Sequence, residues 1–222
     1  IVYRNYFLKH GEYIGQISSE INLLSKTPIP VTHGYAIIHQ DQDIVVPKPK
    51  SFWQKIIYFI KRLWYGKKKL DMMYFTDPKL WQVGVHRNCE VVLTRSQNNE
   101  FTFAPPNQFA HHVYAAAFNF ASDVTSTNLT RFVSKELLTA EYRATILAAW
   151  ENSILYPGRK GSNKLSLTLL GGGVFCNPYQ IICGAIAANI KLIKESGLKV
   201  YLTCYDESTF DEVMQYLETA VN

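Results

Sequence analysis

Residues 164–178, KLSLTLLGGGVFCNP, decide the fold, because three consecutive glycines stand between a strand-like run and a helix-like run. Residues 164–170 are apolar enough for a buried strand, and residues 179–195 (YQIICGAIAANIKLIKE) carry apolar side chains at helical spacing. Gly171, Gly172 and Gly173 lack Cβ, so positive φ is allowed and backbone amides can approach a ligand closely. Amides gathered at a helix N-terminus attract phosphate. Phe175 adds an apolar plate, and Pro178 sits at the first turn, where a helix tolerates proline. A triple glycine can equally be a tight strand-to-helix connection, and spacing alone leaves both readings standing.

Working outward, residues 112–118 (HVYAAAF) read as a buried parallel strand and residues 119–130 as a polar loop. Residues 131–155 form the longest helical pattern, stopped by Pro157-Gly158. The order from His112 is strand, loop, helix, strand, glycine loop, helix, strand, helix, the alternation of a three-layer α/β/α domain with a mixed sheet. Upstream, residues 14–26 read as a short helix, and residues 35–39 and 44–46 as a hairpin. Residues 81–85, 89–95 and 101–103 read as strands, with a turn at 97–99. One domain spanning 1–222, with an insertion at 48–70, is the simplest count for a chain that is 47% hydrophobic.

Residues 139–218 resemble the C-terminal half of a macrodomain, the ADP-ribose-binding module. The resemblance rests on Tyr142 near the start of a helix, the strand 165–170, the loop 171–178, the helix 179–195 and a last strand ending at Tyr205-Asp206. It implies that Gly171, Gly172, Gly173 and Val174 present amides to a diphosphate and that Phe175 covers the distal ribose. Tyr205 would lie against the adenine or its ribose with Asp206 nearby, while Asn119 and Asn177 would complete the ligand set. An ordinary core aromatic is the other reading of Tyr205. The family's usual Asn-Ala-Ala-Asn strand end with its own glycine run is missing upstream, and Cys176 stands where glycine is common. The nearest likeness is to divergent macrodomains of bacterial effectors, which remove ADP-ribose from arginine. The implied partner is therefore ADP-ribose or an ADP-ribosylated protein, in the cytoplasm, or in the host cytosol for a secreted effector.

Hydrolysis of an ADP-ribosyl bond needs an acid or a positioned water at the anomeric carbon. Asp123, among Asn119, Ser122, Thr125 and Ser126, and Glu90, after His86-Arg87-Asn88, are the candidate catalytic carboxylates; Asp41 and Asp43 are held in reserve. A turn or capping role is the alternative for Asp123. A non-catalytic reader or docking module is the alternative for the whole chain. No serine or cysteine triad, nucleotide P-loop or dinucleotide fingerprint is present. The four cysteines, Cys89, Cys176, Cys183 and Cys204, form no Cys-x-x-Cys pair and are expected to be reduced thiols. His111-His112 point to opposite faces of a strand, so no metal is expected, nor any cofactor.

The net charge of +5 is unevenly distributed. Residues 48–70 hold Lys48, Lys50, Lys55, Lys61, Arg62, Lys67, Lys68 and Lys69 with no acid. Within them Phe52, Trp53, Ile56, Ile57, Phe59, Ile60, Leu63 and Trp64 fall on one side of a helix too short to span a bilayer. Two readings follow: a surface for anionic lipid or an acidic partner, or an apolar face packed on the domain with solvated lysines. Because apolar stripes ordinarily face a core, packing on the domain is the default expectation. No nucleic-acid partner is expected.

Overall fold

The computed structural model of the chain describes residues 2–3, 8–10, 13–15, 21–32, 35–41, 44–95, 101–105 and 108–221. The turn expected at 97–99 and the carboxylate Asp43 lie outside them. The fold is mixed α/β. Its strands are β1 (Val2–Tyr3), β2 (Leu8–His10), β3 (Tyr13–Gly15), β4 (Ile21–Asn22), β5 (Val31–Thr32), β6 (Tyr35–Ala36), β7 (Gly84–Glu90), β8 (Val92–Arg95), β9 (Phe101–Phe103), β10 (Phe109–Tyr114), β11 (Lys164–Thr168) and β12 (Lys199–Thr203). Its helices are α1 (Phe52–Tyr74), α2 (Asn128–Leu155), α3 (Tyr179–Ala187), α4 (Ile190–Ser196) and α5 (Glu207–Val221). None of the described helices is long and apolar enough to cross a membrane.

α2 organises the molecule. Thr127 caps it in a capping box with Thr130, so its first amides are satisfied by side chains. Leu129, Val133 and Leu137 enter one apolar cluster with Leu24, Ile38, Phe75 and Phe118. Leu138, Tyr142 and Ile146, on the neighbouring stripe, enter a second with Ala117, Leu165, Leu167 and Ile182. One helix therefore serves two cores. Ala117 and Phe118, adjacent in sequence, divide between the same two clusters.

Behind the second cluster stands a β–α–β unit. β11 and β12 pair in parallel, from Lys164 opposite Lys199 to Thr168 opposite Thr203. α3 and α4 make the crossover that parallel pairing requires. The single helix expected over 179–195 is divided because the Asn189 side chain donates to the carbonyls of Ala185 and Thr139, both at 3.0 Å. A buried amide bonding to its own helix offers the backbone an alternative to the helical ladder. α5 packs on α3, with Val213 fully buried.

Several upstream expectations need correction. The described strands pair only in twos, and a further parallel bridge joins Ile38 to Val124. The expected buried parallel strand at 112–118 is instead β10, antiparallel to β7, and residues 115–118 leave the ladder. They leave because their polar and apolar partners lie elsewhere: the Ala116 amide donates to Glu141 at 3.2 Å, and Phe118 buries in the first cluster. The hairpin expected between 35–39 and 44–46 does not form; β6 pairs with β5 instead, since Ile38 is drawn to Val124. Of the helix expected at 14–26, residues 16–20 lie outside the described residues; around them β3 pairs with β2 and β4 with β1, and residues 23–28 turn. β9 does pair back on β8.

α1 contradicts the default expectation. Gly66 (φ 74°, ψ 159°) breaks it into two limbs, 52–65 and 67–74, and only Leu70 is buried along its whole length. The apolar stripe of the first limb joins neither apolar cluster of the described residues, and only Ile56 in it is half-buried.

Tyr142 ties α2 to the strand that leads into the glycine loop. Its hydroxyl donates to the Thr168 carbonyl at 2.8 Å and accepts from the Leu170 amide at 3.1 Å. Burial pushes its ionisation well above the ordinary tyrosine range, so the hydroxyl keeps the proton it donates. Tyr142→Phe removes one partner from each backbone group, while the Leu170 amide still donates to the Thr168 carbonyl at 3.0 Å, and is expected to cost about 0.5–1.5 kcal/mol in denaturant unfolding.

Candidate functional site

The three glycines have three different roles. Gly171 has φ +74°, and a Cβ there would stand 2.3 Å from the Ala117 Cβ and 2.4 Å from the Asn177 amide nitrogen. At Gly172 a Cβ would meet the Tyr179 ring at 2.6 Å and Ile182 at 3.2 Å. Both glycines exist for close packing. Of the three, Gly173 is open, with no described residue within 4 Å of its Cβ position, and Val174 beyond it is 87% exposed. The amides of Gly173, Val174 and Phe175 donate to no partner among the described residues.

Asn177 holds this loop from behind. It is buried, and its amide nitrogen donates to the carbonyls of Phe118 at 2.6 Å and Gly171 at 3.2 Å. Its oxygen accepts from Ser134 at 3.1 Å, and its backbone amide donates to Gly171 at 2.9 Å. Asn177 therefore clamps the loop, and its amide group has no capacity left for a ligand beyond one lone pair. Cys176 adopts φ 53°, a conformation that favours glycine, which is a physical reason for glycine at that position.

A second loop, 119–124, adjoins the first. The Phe120 amide donates to the Phe175 carbonyl at 2.9 Å. The Asn119 side chain is engaged within this loop, donating to Ser122 at 2.9 Å and Asp123 at 2.6 Å and accepting from Ala121 at 3.1 Å. Asp123 is half-buried, and its backbone accepts from Ile38 at 2.8 Å. Ile38 and Tyr35 bring a third segment in. The Tyr35 ring stands edge-on to Phe175 with centroids 6.3 Å apart, and Asp41 accepts a short hydrogen bond from the Thr127 hydroxyl that caps α2. Phe175 itself is half-buried against the second cluster.

Other candidate residues stand apart. Glu90 pairs with Phe109 at the far end of the β7–β10 ladder, about 17 Å of strand from Tyr114, where the chain turns toward Ala117. The polar cluster beside it serves the other end of α2: Arg87 bonds Glu151 at 2.5 Å and Arg159 bonds Asn88 at 3.0 Å. Tyr205 is 97% exposed, beyond the end of β12. Asp206 caps α5, accepting from the Thr209 amide at 2.8 Å and Ser208 at 2.9 Å. Those bonds hold its carboxyl below the usual range.

Glu141 is the site's unforeseen member. It is 2% exposed in mid-helix, with one oxygen bonded to the Ala116 amide and the other, Oε2, unpartnered among the described residues. Ala117, next in the chain, is the residue against which Gly171 packs. The signal was a glutamate on the core stripe of Leu137, Leu138 and Tyr142, where a charge is costly.

No protein family, characterised protein or solved structure matches the chain.

Burial pushes the Glu141 carboxyl from an ordinary 4.5 up to about 8, with the Ala116 hydrogen bond pulling the other way. Between those values the folded protein keeps a proton that the unfolded chain releases. The contribution of Glu141 to stability is therefore fully present below pH 4.5 and is lost as pH rises toward about 8, at no more than about 1.4 kcal/mol per pH unit. Glu141→Gln is expected to flatten that fall, measured as the difference in unfolding free energy between mildly acidic and mildly alkaline buffer.

Proposed function

We propose that the chain is a divergent macrodomain that binds ADP-ribose and hydrolyses ADP-ribosyl groups from modified protein side chains. In this reading the three-layer α/β/α arrangement is built around the β11–α3–α4–β12 unit. The observation that carries the reading is the open stretch 173–175, three successive amides without a partner among the described residues, between a strand end and the start of α3. A diphosphate is the natural acceptor for such a stretch. The half-buried Phe175 supplies an apolar wall for a ribose.

Asp123 is the carboxylate suited to the reaction because its loop is hydrogen-bonded to Phe175. It would orient water at the anomeric carbon and stabilise the oxocarbenium-like charge that develops there. A reducing, cytoplasmic setting accords with four free cysteines. The reading as a non-catalytic ADP-ribose reader draws support from one observation: the Asp123 carboxylate already accepts from Asn119 at 2.6 Å, as a turn aspartate would.

Gly173 is the position for testing the binding site, since side chains at Gly171 and Gly172 would collide with their neighbours. Gly173→Glu puts a negative charge beside the proposed diphosphate. The expected result is loss of ADP-ribose binding by calorimetry with an unchanged circular dichroism spectrum; wild-type affinity in the folded variant would refute the site.

Asp123→Asn separates the enzyme from the reader. For the enzyme, turnover of ADP-ribosylated protein is expected to fall at least about a hundredfold, while ADP-ribose affinity changes little. Undiminished turnover in this variant, or its loss in Glu90→Ala, would move the catalytic assignment. A wild-type protein that binds ADP-ribose without turnover is the reader.

A further inference from the structure

The first limb of α1, residues 52–65, is mounted with its apolar face outward. At about 100° per residue, Phe52, Trp53, Ile56, Ile57, Phe59, Ile60, Leu63 and Trp64 fill an arc of roughly 160°. Trp53 is 72% exposed, Leu63 70% and Trp64 81%. The limb turns a different side to the rest of the molecule. A cleft of about 410 Å³ separates it from the second limb, lined by Gln54, Ile57, Tyr58 and Lys61 on one side and Leu70 and Met73 on the other. These first-limb residues lie at the edge of the apolar arc and beyond it. The centre of the arc therefore faces solvent.

Positive charge borders the arc on both sides. Lys55 and Lys61 each fall about 40° outside its two edges. Lys67, Lys68 and Lys69 follow directly after the Gly66 break, all exposed, and Lys48 and Lys50 precede the helix, also exposed. No acid occurs from 48 to 70. Lysines of this kind reach past an apolar face with their stems and keep their ammonium groups at its rim.

We propose that this limb docks the protein on the surface of an anionic lipid bilayer. Phe52, Trp53, Ile60, Leu63 and Trp64 enter the boundary between headgroups and acyl chains, and the bordering lysines meet lipid phosphate and carboxylate. Charge selects this occupant. A second copy of the face would bring the bordering lysines against lysines, and the nearest acid in the helix, Asp71, already lies beside Lys67 and Arg62, which opposes self-pairing. A nucleic-acid backbone would answer the lysines and leave the aromatic centre wet. A bilayer surface satisfies both at once, because binding grows with buried apolar area and with attraction to acidic headgroups. The proposal stands apart from the glycine loop and needs no ADP-ribose.

The test is co-sedimentation of the full chain with vesicles rich in phosphatidylserine and with vesicles of phosphatidylcholine alone. The expected result is binding to the acidic vesicles at low salt, weakened at high salt as screening shortens the reach of the charges. Replacing Lys67, Lys68 and Lys69 together by Ala is expected to lower the affinity about a hundredfold, roughly fivefold per charge. Trp53→Ala with Trp64→Ala is expected to lower it at least about tenfold, with circular dichroism and ADP-ribose binding unchanged. The proposal is overturned if the intact protein ignores acidic vesicles at low salt, or if the tryptophan pair can be removed without loss. Self-association that disappears with the tryptophans and needs no vesicle would make the face a contact between copies and overturn it equally.

Discussion

The Asn177 side chain is the constraint on which the candidate site depends. Through one buried amide it joins the Phe118 carbonyl just before one loop, the Gly171 carbonyl at the start of another and the Ser134 hydroxyl on α2. Ordering a glycine-rich loop is entropically costly, and glycine loses more freedom on folding than any other residue. The clamp is one device that offsets this; the packing of Gly171 on Ala117 and of Gly172 on Tyr179 is another. Together they fix the base of the loop while residues 173–175 remain open. A rigid base with free amides at its tip suits anion binding, since few donors then need to be ordered when the ligand arrives.

α2 extends the same logic outward. Ser134 meets the clamp, Glu141 meets the segment 115–118, and Tyr142 meets the end of β11, so one face of one helix positions both candidate loops. Glu141 is the costly member of that series. A carboxyl group removed from water holds its proton to higher pH than an exposed one, because ionisation there would be uncompensated. It serves as an acceptor for the Ala116 amide, a bond an apolar residue at that position would forfeit.

Much of the C-terminal half was legible because local signals there agree with tertiary packing. The long helix over 131–155, the strand before the glycines and the helix after them all occur near the expected limits. The break at Asn189 was less legible, since only the fold shows that its amide finds Thr139 on α2. Among the glycines, composition showed three equivalent residues; what separates them is their neighbours, Ala117, Tyr179 and open space. Asn119, Asn177 and Asp206 were expected as ligand groups from the macrodomain resemblance, yet Asn119 and Asp206 are bonded within their own turn or cap and Asn177 clamps the loop. The orientation of α1 was hidden for a different reason. Periodicity reports that a helix has an apolar face, whereas the direction of that face depends on what the helix is mounted on.

Amide chemical shifts followed during a titration with ADP-ribose test the central claim most directly, because they report the open stretch residue by residue without a mutation. The account predicts that Gly173, Val174 and Phe175 move most, with smaller changes at 119–124 through the bond from Phe120 to Phe175. Saturating ADP-ribose that leaves 173–175 unmoved, or that shifts a different surface, would contradict it.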